Sequence, residues 1–514
     1  AVFKPGLQVR PSGCRNANCT VIWDGEEPLQ MDRMVVDFQL REDLTWSDGT
    51  RVTAGDSVFS FELANAPEAP GLRWAEDRSE SYQALDTRTI QWTGRPGFTT
   101  AEISKFFWNP LPAHLIDGIV DWAELVNSDA LAFSPLSYGP FMMMARELDR
   151  IAFVPNPNYY GTAEGLPLLD ELVFRQIEGD RTSAVQALRS GECDVLDASF
   201  GWENDLELLE EVISEEIVEF QMESGEAWWQ LVFGIMPAEY DDSYNPNLGD
   251  RPNFFGDPAV RQALVACLDR EAMRENSLGE WVPLWPSFLP PEGSHLEQDA
   301  GIRFDPEQGR ANLEEVGWLD TNADSEIPRI AVNVPDVPQG SEFRLELLVD
   351  ETGFQQDMAA IIQNSLTACG IGVDIRTLSN DELYAPGSEG PLFGRHFDLA
   401  LIAWDAGPEL DCRLYMDQAI PDQASQWVGT NIAGFAQPDY DRDCAEAGLA
   451  LDENRKTLIR EAEHSFLNQL PAIPLFSIPR FWLVSSSVCG SDILTQSKGN
   501  LNMIEFIMDD RNCP

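Results

Sequence analysis

The sequence predicts an α/β protein built from two or three lobes. Segments with strand composition alternate with segments of helical periodicity, a pattern typical of lobes with mixed sheets. The chain has 514 residues, more than a single hydrophobic core usually serves. Hydrophobic residues make up 43% and charged residues 24% of it, as in globular proteins. No run of about 18 apolar residues is present, so the sequence predicts no membrane-spanning helix.

The first half of the chain contains two groups of predicted elements. Residues 34–40 have strand composition, Asp48 and Gly49 favour a turn, and Thr53 opens a predicted helix with an acidic first turn. The second group comprises predicted strands at 151–154, 171–175 and 195–196 and a predicted helix at 181–190 that Gly191 ends.

The second half continues the alternation of helices and strands. The sequence predicts helices at 256–275, 305–318 and 354–369, and strands at 343–349, 372–375 and 397–403.

The charge of the chain is strongly negative. Lys and Arg number 34 against 87 Asp and Glu, which leaves a formal net charge of −53. Such a field repels nucleic acid and anionic lipid, so neither is expected as a partner. The acidic composition suits a salty environment, where ions screen self-repulsion. A composition bias of the whole lineage is an alternative, and both interpretations stay open.

The nine cysteines indicate disulfides rather than metal sites. There is no CxxC motif, and the four histidines lack ligand-like spacing. A local disulfide between Cys14 and Cys19 is predicted, which requires an oxidising compartment. Two further pairs have weaker support from the sequence: Cys412 with Cys444, and Cys489 with Cys513. Three cysteines in apolar contexts are predicted to be buried thiols: Cys193, Cys267 and Cys369.

Several collinear motifs resemble one family. They are FQLR at 38–41, WSDGT at 46–50, TAGDSV at 53–58, YGPF at 138–141, PNPNYYG at 155–161, ALRSGECDV at 187–195, DPAVRQAL at 257–264, LDRE at 268–271, FDPE at 304–307 and LPAIPLF at 470–476. Together they resemble the peptide- and nickel-type (family 5) extracellular solute-binding proteins of ATP-binding cassette importers. Each motif alone is unspecific, but their order over nearly the whole chain is specific.

The resemblance implies a periplasmic-binding-protein-like clamshell of type II, with two lobes and an extra small domain. Residues 1–164 would form most of the extra domain, 165–235 with 475–514 the first lobe, and 236–474 the second lobe. Family members usually carry several dozen more residues before the region of 38–49. We therefore expect that opening segment to be absent here or to be a separate piece.

The resemblance also implies a ligand site at a strand end. In peptide-binding members, an Asp three residues after a strand-end Trp pairs with the α-amino group of the ligand. The corresponding Trp is Trp404, and the position three residues later is Gly407. Asp405 takes the role only if the loop is shifted, and a solvated turn residue is the alternative. A peptide with a free amine is therefore not the favoured ligand.

Other aromatic residues complete the predicted ligand-binding set. Trp228 and Trp229 precede a strand and, if they lie on it, face opposite sides, so one lines the site while the other packs in the core. Trp285 lies in a Pro-rich loop, and Tyr138 belongs to the YGPF motif. Aromatic walls suit peptides, sugars and flat organic ligands, but most of the 15 tryptophans are expected to be structural.

Two acidic loops are candidates for calcium. Residues 320–326 begin like a calcium loop, but Ser325 replaces the turn glycine and Ala331 occupies the closing Glu position. The second loop contains Asp241, Asp242, Asn245, Asn247 and Asp250. We interpret both as solvated loops and expect no cofactor and no catalytic metal.

The predicted function is extracytoplasmic capture of a peptide-like or other small organic ligand for an ATP-driven importer. The expected partners are the ligand and the membrane permease subunits, and we expect a monomer in the periplasm or outside the cell. A lipid anchor on residues outside this sequence is compatible with that location. No basic stretch followed by an apolar one opens the chain, so any secretion signal is removed or lies outside it.

Two other functions are compatible with parts of the sequence. A surface or scaffold protein could keep the fold without transport. A secreted hydrolase could use paired carboxylates, but the motifs GxSxG, HExxH and the P-loop are absent from the sequence. We therefore predict that the protein is not an enzyme.

Overall fold

The structure is a computed structural model that covers most of the chain. It describes residues 8–14, 19–66, 69, 74–100, 103–116, 125, 127–128, 131, 133–177, 179–202, 205–215, 218–223, 225, 227–246, 249–291, 293–296, 302–321, 327–405, 411–448, 450, 452–477, 479–489 and 507–508.

The chain divides into two compact units. Unit 1 contains residues 1–202, 207–223 and 481–514, and unit 2 contains residues 203–206 and 224–480. The main crossings between the units therefore follow residues 223 and 480. The three-part division expected from the family resemblance stays a prediction.

The described residues of unit 1 that precede unit 2 contain ten short strands, most of them in small antiparallel sheets. Two sheets have the orders β3-β5-β4 and β6-β7-β8, and β1 pairs with β2. The strands are β1 Gln8–Val9, β2 Val21–Ile22, β3 Val35–Gln39, β4 Ser79–Ala84, β5 Thr89–Gly94, β6 Phe141–Arg146, β7 Arg150–Pro155, β8 Leu172–Arg175, β9 Val195–Leu196 and β10 Val218–Glu223.

The described residues of this part of the chain contain five helices. They are α1 Ala54–Ala64, α2 Trp74–Arg78, α3 Ala113–Ile116, α4 Arg181–Arg189 and α5 Leu206–Ile213. The predicted start of α1 is confirmed, because Thr53 is its N-cap and forms a capping box with Asp56. The buried core around α1 and the β3-β5-β4 sheet is aromatic and includes Trp46, Tyr82 and Trp92.

Unit 2 is organised around one mixed sheet of five strands in the order β15-β14-β16-β11-β17. The strands β14, β15 and β16 are parallel, and β11 runs antiparallel to β16 and to β17. A second, two-stranded sheet pairs β12 with β13. The strands are β11 Ala227–Phe233, β12 Trp318–Leu319, β13 Ile330–Ala331, β14 Arg344–Asp350, β15 Gly372–Leu378, β16 Leu399–Asp405 and β17 Ala472–Ser477.

Seven helices in the described residues of unit 2 accompany this sheet. They are α6 Pro258–Cys267, α7 Arg270–Ser277, α8 Pro306–Glu315, α9 Gly353–Thr367, α10 Asn380–Leu383, α11 Pro438–Ala447 and α12 Asp452–Gln469. The prediction of one helix over 256–275 is wrong, because Leu268 is extended and Asp269 caps a new helix. The strands predicted at 343–349, 372–375 and 397–403 are confirmed.

After unit 2 the chain adds three strands to unit 1. They are β18 Arg480–Ser485, β19 Val488–Cys489 and β20 Ile507–Met508. Strand β18 lies between β10 and β9 in a three-stranded sheet. The final residues of the chain therefore contribute to the same unit as its first residues.

The two faces of the unit 2 sheet belong to two separate hydrophobic clusters. Trp228 and Val232 of β11 pack on one side with Ile402 of β16. Trp229 and Leu231 pack on the other side. We call these sides the Trp228 face and the Trp229 face. Strand alternation accounts for the difference, because neighbouring side chains on a strand point to opposite faces.

Three disulfides tie the described chain. The predicted pairs Cys14–Cys19 and Cys412–Cys444 are confirmed. Cys489 is disulfide-bonded, and its predicted partner Cys513 lies outside the described residues. The prediction of buried free thiols is wrong for two residues: Cys267 and Cys369 form a disulfide with each other. Cys193 is free and half-buried.

None of the helices in the described ranges is both long enough and apolar enough to cross a membrane.

Candidate functional site

The carboxyl edge of the unit 2 sheet is the candidate ligand site. The parallel strands β14 and β16 end there at Asp350 and Asp405, and β17 ends there at Ser477. Antiparallel β11 begins at the same edge, because Ala227 pairs with Asp405 and Trp228 pairs with Ser477. In open α/β sheets, ligands bind outside the carboxyl ends of the strands.

A stacked pair of tryptophans lies on the Trp228 face near this edge. The rings of Trp228 and Trp285 are 5.1 Å apart between centroids and nearly parallel, at 9°. The backbone of Trp285 is held on both sides: its N–H donates to the carbonyl of Leu475 at 2.7 Å. Its carbonyl accepts a hydrogen bond from Nη2 of Arg270 at 2.6 Å. The edge strand β17 and helix α7 therefore fix the position of Trp285.

The guanidinium group of Arg270 is buried beneath this loop. Burial lowers its pKa to about 10, and the charge of Glu271 opposes that shift. Its Nε has no hydrogen-bond partner among the described residues. Arg270 stays charged at neutral pH and orients the carbonyl of Trp285.

The loop that carries Trp285 is anchored by one buried carboxylate. Glu463 of α12 accepts hydrogen bonds from the hydroxyls of Ser287 and Ser294, each at 2.6 Å. It also accepts one from the backbone N–H of His295 at 2.9 Å. Three donors from one loop thus converge on a fully buried acid, which satisfies the carboxylate and fixes the loop.

Trp404 lies directly beside the stacked pair. It pairs with Trp228 across β16 and β11, and it is half-buried. Its ring contacts Tyr384 and Phe393, with centroids 6.2 Å and 6.3 Å away. Burial raises the pKa of Tyr384 to about 12, with smaller effects from the backbone of Ala403 and the charge of Asp350. The phenol is therefore neutral at physiological pH and presents an apolar wall.

Three buried hydrogen-bond donors near these rings lack partners. Trp228 Nε1, Gln230 Nε2 and Ser477 Oγ have no hydrogen-bond partner in the described part of the structure. Trp228 and Gln230 are 0% exposed and Ser477 is 1% exposed. Buried polar groups in native proteins are almost always hydrogen-bonded, so three exceptions in neighbouring positions indicate a polar binding site.

The structure brings together some of the predicted site residues. Trp228, Trp285 and Trp404 share the Trp228 face. Trp229 lies on the opposite face, in the core, where its ring is 5.5 Å from that of Phe354. Trp228 is buried as well. That one of Trp228 and Trp229 lines the ligand site therefore stays a prediction.

The other two predicted site residues are Asp405 and Tyr138. Asp405 ends β16 opposite Ala227, and Gly407 lies outside the described residues. Tyr138 belongs to unit 1, where it is half-buried and its ring makes an edge contact with Trp46 at 5.2 Å. Burial raises the pKa of Tyr138, so its hydroxyl is protonated at neutral pH.

The second acidic loop is engaged in other contacts. Asp241 forms an ion pair with the buried guanidinium group of Arg395 at 2.5 Å, and Asp250 accepts a hydrogen bond from the backbone N–H of Asn245 at 2.6 Å. Most of the first loop, 320–326, lies outside the described residues. Within the described chain there is no group of three or more His, Cys, Asp or Glu residues placed to hold a metal ion.

Sequence reasoning missed the polar residues of the site. Gln230 is two residues after Trp228, so the same alternation that separates Trp228 from Trp229 places Gln230 on the Trp228 face. A glutamine inside an otherwise apolar strand was the available signal. Ser477 and Glu463 gave none, because their positions depend on the pairing of β17 with β11 and on the path of the loop that carries Trp285.

Comparison with known families assigns the chain to a protein family. The family model for bacterial extracellular solute-binding proteins, family 5 Middle, matches residues 29–418. This match covers most of the chain, so the protein belongs to the family 5 bacterial extracellular solute-binding proteins. The sequence resemblance to that family is therefore confirmed.

Curated proteins with low sequence identity to this chain agree with the family assignment. The chain is 23% identical to the oligopeptide-binding protein AppA of Bacillus subtilis over 359 residues, which is 67% of this chain and 58% of the relative. It is 23% identical to the periplasmic oligopeptide-binding protein OppA of Haemophilus influenzae over 484 residues, 88% of this chain and 79% of the relative. For the first relatives, including OppA of Lactococcus lactis at 41% and 50%, the match spans about half of their length. These relatives are named as binding proteins.

Solved structures show the same fold. NikZ from Campylobacter jejuni, determined in complex with Ni(L-His), matches with a TM-score of 0.61 at 19% identity over 95% of this chain and 90% of that chain. A putative peptide-binding protein AppA from Clostridium difficile matches with a TM-score of 0.69 at 17% identity over 92% and 89%. The predicted α/β fold class of the periplasmic-binding-protein type is therefore confirmed.

Proposed function

We propose that this protein captures a peptide-like or other small organic solute outside the cytoplasm and delivers it to the permease subunits of an ATP-driven importer. The observation that carries the proposal is the aromatic carboxyl edge of the unit 2 sheet. There Trp404, Tyr384 and the stacked pair of Trp228 and Trp285 surround buried donors without partners. Preformed sites with apolar walls and few polar groups are typical of small-molecule binding.

The groups at this edge suit binding rather than catalysis. Tyr384 has a pKa of about 12, far from the range in which a general acid or base works at neutral pH. The three unpartnered donors belong to an indole, an amide and a hydroxyl. Such groups orient a ligand by donating hydrogen bonds to it. We therefore propose that the ligand leaves the protein chemically unchanged.

The relatives support a broad ligand class. Two relatives are named as oligopeptide-binding proteins, and NikZ was determined with Ni(L-His). A further fold neighbour is a periplasmic EDTA-binding protein with a TM-score of 0.62 at 21% identity. Their ligands are small, polar and rich in oxygen or nitrogen. The same fold thus accommodates different ligands, and the side chains at the site decide which one binds.

Calorimetric titration of the purified protein tests this proposal. The probes are short peptides, oligosaccharides and a nickel–histidine chelate, and the bound probe is recovered and analysed by mass spectrometry. We expect saturable one-to-one binding of one class and recovery of the probe intact. Conversion of the probe into products, or no binding by a folded sample to any probe, would contradict the proposal.

A further inference from the structure

The unpartnered donors on the Trp228 face define the chemistry of the ligand more closely, and this inference rests on the proposed function. Each of the three atoms carries a hydrogen: Trp228 Nε1, Gln230 Nε2 and Ser477 Oγ. An indole N–H and an amide NH₂ donate only. A ligand group that fits them must accept hydrogen bonds.

The positions of the donors are set by the sheet. Ser477 is the register partner of Trp228 on the neighbouring strand, and Gln230 is two residues along β11 on the same face. The three side chains therefore occupy adjacent positions that run inward from the carboxyl edge. Trp404 is the register partner of Trp228 on the other side and is half-buried, so it lies beside these donors in the same row of the sheet.

The oxygen of the Gln230 side chain is already used. It accepts a hydrogen bond from the hydroxyl of Tyr415, which leaves the NH₂ group as the free end of the side chain. The indole N–H of Trp228 and this NH₂ group can only donate, so a ligand oxygen is the group that pairs with both of them.

We infer that the cluster of Trp228, Gln230 and Ser477 binds an oxygen acceptor of the ligand, a carbonyl or carboxylate. A buried donor without a partner destabilises the protein, so a ligand oxygen that accepts from these donors removes that penalty. The penalty makes the site selective, because a ligand without an acceptor leaves the donors unpaired.

The stability of the ligand-free protein provides the first arm of the test. If Ser477 serves a ligand, Ser477→Ala removes an unpaired hydroxyl and should raise the Tm by about 1–3 °C. Ser277→Ala is the matched control, because Ser277 in α7 also buries an unpartnered hydroxyl, and we expect a similar rise. A fall in Tm for Ser477→Ala alone would show a structural role for this hydroxyl and overturn the inference.

Ligand binding provides the second arm. The probes are trialanine, trialanine amide, N-acetyltrialanine amide, which has carbonyls but no charges, and cadaverine, which has ammonium groups and no acceptor. We expect N-acetyltrialanine amide to bind and cadaverine not to bind. Binding of cadaverine as tight as that of N-acetyltrialanine amide would overturn the inference, because cadaverine offers these donors no acceptor. The comparison of trialanine with its amide shows whether the acceptor is a carboxylate or a carbonyl.

Variants connect this selectivity to the cluster. Trp228→Phe keeps an aromatic ring and loses the N–H, and we expect it and Ser477→Ala each to weaken binding about tenfold. Trp229→Phe is the matched control on the opposite face, since its N–H is also buried without a partner. Its affinity should equal that of the wild type.

The outcomes separate the two proposals. Binding that Trp404→Ala abolishes but Ser477→Ala and Trp228→Phe leave unchanged would overturn the inference and keep the proposed function. Failure of every peptide probe to bind the wild-type protein would overturn the acceptor assignment for peptide ligands. In that case an oligosaccharide or chelate that binds in calorimetry would still uphold the proposed function.

Discussion

At the scale of single residues, two kinds of buried polar side chain occur in unit 2. Asn431 is fully buried and uses its whole side chain: its amide donates to the carbonyls of Tyr415, Met416 and Phe435. Its oxygen accepts from the N–H of Phe435. Such a residue holds the fold. Ser477, by contrast, is buried without a hydrogen-bond partner among the described residues, which is expected of a residue that binds a ligand or an ordered water.

Glu463 is a buried polar residue that holds the fold, and the variant Glu463→Gln tests this role. The carboxylate accepts three hydrogen bonds, whereas a glutamine would turn an NH₂ group towards one of the donors. We expect the free energy of unfolding to fall by about 2–3 kcal/mol, measured by urea denaturation. Glu461→Gln, on the exposed side of the same helix, is the control and should change stability little. Equal stability of Glu463→Gln and wild type would contradict the anchoring role.

The aromatic residues of the site could be predicted from the sequence more easily than its polar residues. The resemblance to the family predicts Trp404, and the Pro-rich loop around Trp285 predicts that residue. Glu463 was missed, because 87 acidic residues hide one buried carboxylate among many exposed ones. Nothing local distinguishes it, since its three partners lie more than 160 residues away in the chain.

At the scale of elements, the predictions succeeded where local signals were strong. Asp180 caps α4 by accepting from the N–H of Ser183 at 3.0 Å, and the helix predicted at 181–190 is confirmed. The failure at 256–275 also has a local cause. Asp269 accepts from the N–H of Ala272 at 2.9 Å and starts a second helix as its N-cap. The apolar periodicity continues across this residue, so the periodicity alone predicts one uninterrupted helix.

The cap of α4 gives a pH-dependent prediction. Hydrogen bonds from the backbone N–H and then the hydroxyl of Ser183 lower the pKa of Asp180. A lowered pKa in the folded state stabilises the protein above the ordinary Asp range, and this contribution is lost as pH falls through the lowered value. Asp180→Asn keeps a capping oxygen without the charge. The stability difference between wild type and variant should therefore be largest near neutral pH and shrink as the pH falls through the lowered pKa of Asp180.

Denaturant titrations of both proteins at several pH values measure that difference. Comparing the two removes the effect of the other acidic groups, which titrate equally in each. A difference that grows as the pH falls would contradict the assignment of Asp180 as a charged cap.

Disulfides connect elements that are distant in sequence, and their loop lengths rank their effects. Cys267–Cys369 links the end of α6 to the segment after α9 across 102 residues, and Cys412–Cys444 spans 32 residues. Chain-entropy arguments give about 4.7 and about 3.7 kcal/mol, respectively. We expect replacement of the first pair by alanines to lower the free energy of unfolding more, by about 1 kcal/mol. Double-alanine variants of each pair, measured by urea denaturation, check this order, and the reverse order would contradict it.

The first of these pairs shows the limit of sequence reasoning about cysteines. An apolar context is compatible with a free thiol and with a buried disulfide alike. The distinction depends on α6 and α9 packing in the same unit, which spacing along the chain does not reveal.

At the scale of the whole molecule, the charge of −53 governs the response to salt. Raising the ionic strength from about 0.1 to about 1 M shortens the Debye length from about 10 to about 3 Å. Self-repulsion in the folded state should weaken, so we expect the Tm to rise with NaCl concentration. Sucrose at matched osmolality is the control for general exclusion effects. A Tm that stays constant or falls with NaCl would contradict a destabilising effect of self-repulsion on the folded protein.

The fold class and family followed from motif order over the whole chain, while the selectivity of the site did not. The motifs lie in α/β elements that every family member needs, so they identify the fold. The ligand depends on side chains such as Gln230 and Ser477, which stand outside those motifs or at their ends and meet only when β11 and β17 pair.

The most direct test of the central claim is calorimetric titration of Trp404→Ala beside wild type and Trp427→Ala. Trp427 is also a half-buried tryptophan of unit 2, but it packs over Arg395, whose guanidinium bonds the carbonyl of Met236 beyond the opposite end of β11. The account predicts that the probe that binds wild type loses at least tenfold in affinity with Trp404→Ala and binds Trp427→Ala normally. Unchanged binding to Trp404→Ala would show that the ligand site lies away from the carboxyl edge of this sheet.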